Sequence, residues 1–279
     1  GTWQSTLTNF KYIRKSWKDN CEEERLLGVS LTGIYGNELT STNADGLPML
    51  LDNMRKIAVE TNDEEARKLN INPSVSITCV KPSGTVSQLT GVSSGIHPWY
   101  SPFYLRSVRG DNKDPLTAFL KDCGIPNEPD IMKPNDTTVF YFPIKAPNNA
   151  IVTKQLSAID HLEMWKTYRM HWTEHNPSVT INVHEDEWVD VGAWVYRNFD
   201  DIGGIAFLPY SEHSYKQAPY QEITEKEYEE WMSKMPKHIP WEMLVMYEKE
   251  DGTTGSQELA CTAGACDIAD FTTEKVGAK

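Results

Sequence analysis

The chain has 279 residues, 39% hydrophobic and 24% charged, enough to bury a sizeable core as one large domain or two small ones. Its formal net charge of −13 carries no offsetting basic stripe, which argues against duplex nucleic acid as a partner but not against nucleotides, held by local donors. Five cysteines, no secretory leader and no apolar run of membrane length predict a reducing, cytoplasmic setting with no membrane partner.

In chain order, the opening GTWQSTLTNFKYIRKSW is helical in flavour, without an initiator Met or an N-terminal cap. Five short apolar, β-branched runs alternate with helical patterns: 26–32 (LLGVSLT), 75–80 (VSITCV), 138–142 (TVFYF), 179–183 (VTINV) and 205–208 (IAFL). Leu156, Ile159, Leu162, Trp165, Tyr168 and Trp172 recur at helical spacing, as do Trp188, Val191, Trp194, Val195 and Phe199. Glu185, Asp186 and Glu187 supply favourable charge at the start of the second of these helices.

Strands alternating with helices predict an α/β fold of five parallel βα units with right-handed crossovers. Five units are too few for an eight-stranded barrel and suit an open doubly wound sheet or half of a larger barrel. Beyond Leu208 the pattern stops. An acidic helix is expected over 224–235, opened by a capping box of Thr224 and Glu227 and ended by Pro236 and Pro240. The expected organisation is an α/β part over 1–210, an extension over 211–250 and a flexible tail over 251–279.

The sharpest internal motif is Lys81-Pro82-Ser83-Gly84-Thr85-Val86-Ser87, directly after the second run. Pro82 stops the strand, Gly84 permits a tight turn, and Ser83 or Thr85 can cap the helix that follows. Free backbone N–H groups at such a junction suit an anion, with the hydroxyls of Ser83, Thr85 and Ser87 as further donors. An ordinary capped helix start uses the same residues, and the motif lacks the GxxxxGK[ST] of a Walker A loop. His97 precedes a proline in a stretch expected to be a loop, where a histidine is more often structurally bonded than catalytic. Arg106 and Arg109 could meet phosphate or the acidic surface. His171, His175 and His184 follow no metal-binding spacing.

The tail carries Cys261 and Cys266, separated by four residues, in a stretch whose one aromatic residue is Phe271. So little apolar surface cannot offset the entropy of ordering, so the tail should be mobile. Three readings stand on spacing alone: half of a zinc site, two incidental thiols, or a redox pair.

The run ITCVKPSGTVSQLTGVSSGIHPWYSPFYLRSVRG (77–110) closely resembles a block of the adenosylcobalamin-dependent (class II) ribonucleotide reductases. So do EEERLLGVSLTGI (22–34), the stretch from NPSVTINVHEDEW to KQAPY (176–220), and ELACTAGACDI (258–268). The resemblance implies the C-terminal portion of such an enzyme, forming the second five-stranded half of its ten-stranded α/β barrel. It implies a thiyl-radical reduction of ribonucleotides to deoxyribonucleotides, with adenosylcobalamin as cofactor and an N-terminal half of the reductase as partner. It assigns substrate phosphate binding to Pro82, Ser83, Gly84, Thr85, Val86 and Ser87. To Cys261 and Cys266 it assigns reduction of the active-site disulfide, with electrons drawn from thioredoxin or glutaredoxin.

The family's NPCxE-like radical motif has no counterpart here, and Cys21, Cys79 and Cys123 match none of its redox positions, so these three are read as structural. The chain alone is therefore expected to be inactive. Class I enzymes place adjacent tyrosines after the last barrel strands and class III enzymes carry a glycyl-radical RVxGY motif; neither occurs here. The alternatives are a class I large-subunit fragment and a non-catalytic nucleotide-binding derivative.

Overall fold

A computed structural model of the chain describes residues 1–41, 46–210 and 215–248. The elements run α1 (Lys15–Glu24), β1 (Val29–Ser30), α2 (Glu38–Ser41), α3 (Leu47–Leu69), β2 (Thr78–Cys79), α4 (Val86–Thr90), β3 (Phe103–Asp111) and α5 (Pro115–Asp122). They continue with β4 (Asn127–Pro129), β5 (Thr137–Lys145), α6 (Ala158–His171), β6 (Thr180–Val183), α7 (Trp188–Arg197), β7 (Ala206–Pro209), β8 (Tyr220–Glu222) and α8 (Glu225–Lys234).

The chain divides into two compact units. One comprises Gly1–Trp99 and Asn149–Tyr210; the other takes Tyr100–Asn148 together with the described residues 215–248. This differs from the continuous 1–210 part expected from sequence, because 100–148 pairs with chain beyond 210 rather than with the parallel strands.

In the first unit β1 pairs in parallel with β2, and β6 in parallel with β7. The Glu174 and Ser178 amides, just ahead of β6, donate to the carbonyls of Thr78 and Val80 and so link the two pairs. The core is built on α6, where Leu162, Trp165 and Tyr168 are fully buried, with Ile181 and Val183 of β6 and Val191 and Trp194 of α7. The spacing seen in the sequence is thus largely the buried stripe in α6, while of the second set Val191 and Trp194 are buried and Trp188 and Phe199 are exposed. Ser157 caps α6 by accepting from the Asp160 amide, which anchors its start.

The second unit is an antiparallel sheet in the order β4-β5-β3-β8. The long pair β3–β5 runs in register from Phe103 opposite Lys145 to Asp111 opposite Thr137. This corrects the expectation of five parallel units: four of the apolar runs become parallel strands, and 138–142 lies in β5, antiparallel on both sides. An apolar run carries no record of its direction, and its partner β3 reads FYLRSVRGD, a mixed run that is not among the five strands expected from sequence. The capping box of Thr224 and Glu227 opens α8 as expected.

Candidate functional site

The site expected over 82–87 lies in the first unit, on the turn that leaves β2. The Lys81 amide donates to Ser30 Oγ (3.0 Å), which ties the exit of β2 to β1. Ser83 then adopts φ +52, a left-handed conformation that costs a residue with a Cβ about 1 kcal/mol or more. The Ser83 carbonyl accepts from the Ser87 amide (3.0 Å), closing the loop on itself. Gly84 and Ser87 are buried, while Pro82, Thr85 and Val86 face solvent and Ser83 is half-exposed.

The helix cap differs from the expectation. Thr85 stands at the N-cap of α4 but makes no capping bond with its side chain, leaving its hydroxyl uncommitted to the helix. The amides of Thr85 and Val86 precede the first helical hydrogen bond and make none to the described residues. The α4 helix has only five residues, so its dipole adds little; the donors themselves are what the loop offers.

Beneath the loop lies a second turn, Ser94 to His97, that sequence reasoning did not connect to it. Gly95 has φ +55, and a Cβ there would stand 2.3 Å from the Lys81 carbonyl oxygen, so only glycine allows this approach. Its amide donates to Thr32 Oγ1 (2.9 Å). Ser94 Oγ lies 3.3 Å from Ser87 Oγ. The recurrence of glycine and serine in SSGIH was a visible signal of a tight turn, but its target was not.

His97 is buried, and both ring nitrogens are engaged. The Thr180 amide can only donate, so Nε2 accepts it (3.0 Å), and the proton sits on Nδ1, which donates to the Ser94 carbonyl (2.9 Å). His161 on α6 shows the other tautomer, with Nε2 donating to the Ile96 carbonyl (2.9 Å). Burial pushes the His161 pKa down to about 3, the neighbouring His97 pushes it the same way, and the Ile96 bond opposes them. His97 is shifted down by burial as well. Both rings are therefore neutral at pH 7.

The other sequence candidates fall elsewhere. Arg109 lies in the second unit and is taken up by Asp130 (2.9 Å) and the Gln217 carbonyl (3.0 Å). Arg106 of the same unit is buried, 6.0 Å from the centre of the Tyr220 ring. His171 pairs with Asp52, His175 bonds Ser76, and His184 stacks on Tyr210. No metal-binding cluster occurs among the described residues. Burial holds the Cys79 thiol above its ordinary pKa, against Ser30 and Lys81, which suits a structural thiol. Cys261 and Cys266 lie outside the described residues. No helix of the described residues is long and apolar enough to cross a membrane.

Comparison with known proteins points one way. The chain is 33% identical over 226 residues to the adenosylcobalamin-dependent ribonucleoside-triphosphate reductase of Lactobacillus gasseri, covering 78% of this chain and 30% of that protein. By sequence, this chain is a relative of the adenosylcobalamin-dependent ribonucleotide reductases. The same-named reductase of Lactobacillus helveticus is 28% identical over 279 residues, covering 88% of this chain and 37% of the relative. That of Euglena gracilis is 28% identical, with 80% and 31% covered. A crystal structure of a B12-dependent (class II) ribonucleotide reductase superposes with a TM-score of 0.74 at 24% identity, over 89% of this chain and 38% of that one, which shows a shared fold. No protein-family profile matches. The chain spans about a third of the length of these reductases.

The residues here do not identify a seat for adenosylcobalamin. His97 has both ring nitrogens committed to backbone groups and so does not offer itself to a cobalt ion, while His161 is buried with its Nε2 bound to the Ile96 carbonyl.

Proposed function

We propose that this chain supplies the substrate-phosphate loop and the electron-delivering tail of an adenosylcobalamin-dependent ribonucleotide reductase. It acts with the remainder of the catalytic unit, the N-terminal half of the barrel. The observation that carries the reading is the 82–87 loop: it leaves a parallel strand, holds Ser83 left-handed, leaves the Thr85 and Val86 amides without a bond to the described residues, and rests on a glycine that admits no side chain. Strain kept at an exposed turn with free donors is the mark of a binding loop rather than of a plain helix start.

In this role the amides of Thr85 and Val86 and the hydroxyls of Ser83 and Thr85 bind phosphate oxygens of a ribonucleotide. The relatives are named as triphosphate reductases, and a triphosphate is the substrate proposed here. Within the assembled enzyme this chain's own part is phosphate binding and electron delivery.

Delivery is thiol–disulfide exchange. A thiolate of the Cys261/Cys266 pair attacks the disulfide left in the active site after turnover, and the second tail thiol resolves the mixed disulfide. Two thiols form in the active site and one disulfide in the tail, with two electrons transferred, and thioredoxin or glutaredoxin then reduces the tail. The Cys261→Ser variant tests this in the assembled reductase. Turnover with thioredoxin should fall to background while nucleotide binding is unchanged; thioredoxin-driven turnover at the parent rate would refute the tail's role.

A further inference from the structure

We infer that His97 is a positioning residue for the phosphate loop, an inference that rests on the phosphate-binding reading of 82–87. The turn that His97 holds touches that loop at both ends. At the entry, Gly95 lies against the Lys81 and Pro82 carbonyls. At the exit, Ser94 Oγ meets Ser87 Oγ at 3.3 Å. The separation of these two contacts sets how far the loop opens, and hence where the Thr85 and Val86 amides stand.

His97 fixes the turn in two directions. Its Nδ1–H bond to the Ser94 carbonyl locks the turn internally. Its Nε2 accepts the Thr180 amide at the first residue of β6, fastening the turn to the parallel strands. His161 holds the next carbonyl but one, Ile96, from α6. The turn is therefore referenced to both a strand and a helix of the core, and His97 supplies the strand tie. Buried polar bonds of this kind specify one geometry because leaving the Thr180 amide unpaired is costly. The hydrogen bonds of the ring go to Ser94 and Thr180 and none to 82–87, so its effect on phosphate is carried through Ser94 and Gly95.

The test is calorimetric titration of the full 279-residue chain with cytidine triphosphate. His97→Phe keeps the ring's bulk and removes both bonds; its affinity should fall about tenfold. His97→Gln, whose side-chain carbonyl can accept the Thr180 amide, should recover to within about threefold of the parent, a rescue that loss of packing alone would not give. His97→Phe binding as tightly as the parent, while folded by circular dichroism, overturns the inference and leaves the phosphate loop standing. Should His97→Phe not fold, His97→Asn decides. It can keep the Ser94 bond but is too short for Thr180, and should bind at least about fivefold more weakly; parent affinity in that variant overturns the inference. No binding by the parent chain overturns the phosphate reading and the His97 role with it.

Discussion

Ser83 and Gly95 hold left-handed backbone for opposite reasons, and substitution separates them. Ser83 is strained by its own Cβ, so Ser83→Gly should leave stability within about 1 kcal/mol of the parent or raise it, while removing one phosphate donor. At Gly95 the left-handed backbone is joined by the Lys81 carbonyl, so Gly95→Ala should cost more than about 2 kcal/mol in denaturant unfolding. Equal effects of the two changes would contradict the described seat of the loop. The motif itself was legible in sequence, since proline, glycine and hydroxyls follow an apolar run. Its floor was not, because Thr32, Gly95 and His97 reach it only through tertiary bonds.

Acid should act first on the two buried histidines. With His161 at about 3 when folded and near 6.5 when unfolded, the unfolded chain takes up a proton in that interval and the folded chain does not. Stability is complete above pH 6.5 and is lost as pH falls towards 3, at about 1.4 kcal/mol per pH unit from this group alone. His97 is shifted in the same direction and adds to the loss. Asp130 works in another window. Burial raises its pKa, but the Lys133 and Met132 amides and Arg109 outweigh that and leave it lowered, so its contribution is lost only in stronger acid, below the ordinary carboxylate value. Urea midpoints at pH 7.5 and pH 5 should therefore differ, and a His161→Gln variant should show a smaller difference. Equal midpoints for the parent chain would contradict the burial of these rings as neutral species.

Among elements, α6 carries the most weight and was the easiest to read. Trp165 has no exposed surface, packs edge-on against Trp194 and donates its indole N–H to the Pro177 carbonyl (2.9 Å). Trp165→Ala should cost about 3–5 kcal/mol, seen as a lower denaturation midpoint; a loss below 1 kcal/mol would be inconsistent with that packing. The capping box of α8 was legible for the same kind of reason, since its signature is local. By contrast, α3 was not singled out: it buries Leu47, Leu51 and Ala66 but exposes Met49 and Ile57, which blurs its stripe. Strand direction was beyond local pattern altogether. The run 138–142 has the β-branched and aromatic content of a buried parallel strand, and only its pairing with β3 makes it antiparallel.

At the scale of the whole molecule, the alternation of strands and helices fixed the α/β character and four of the parallel strands, while the grouping of 100–148 with chain beyond 210 depended on contacts distant in sequence. The proposed function is that of one part of a larger unit: the chain spans about a third of its reductase relatives, and the disulfide its tail is proposed to reduce has no counterpart among its own motifs. Assembly is therefore the decisive measurement: formation of dCTP from CTP by this chain combined with the remainder of the reductase, adenosylcobalamin, thioredoxin and thioredoxin reductase. The expected result is dCTP from the combination and none when either protein part is omitted. Reduction by this chain alone, or by the remainder without it, would contradict it.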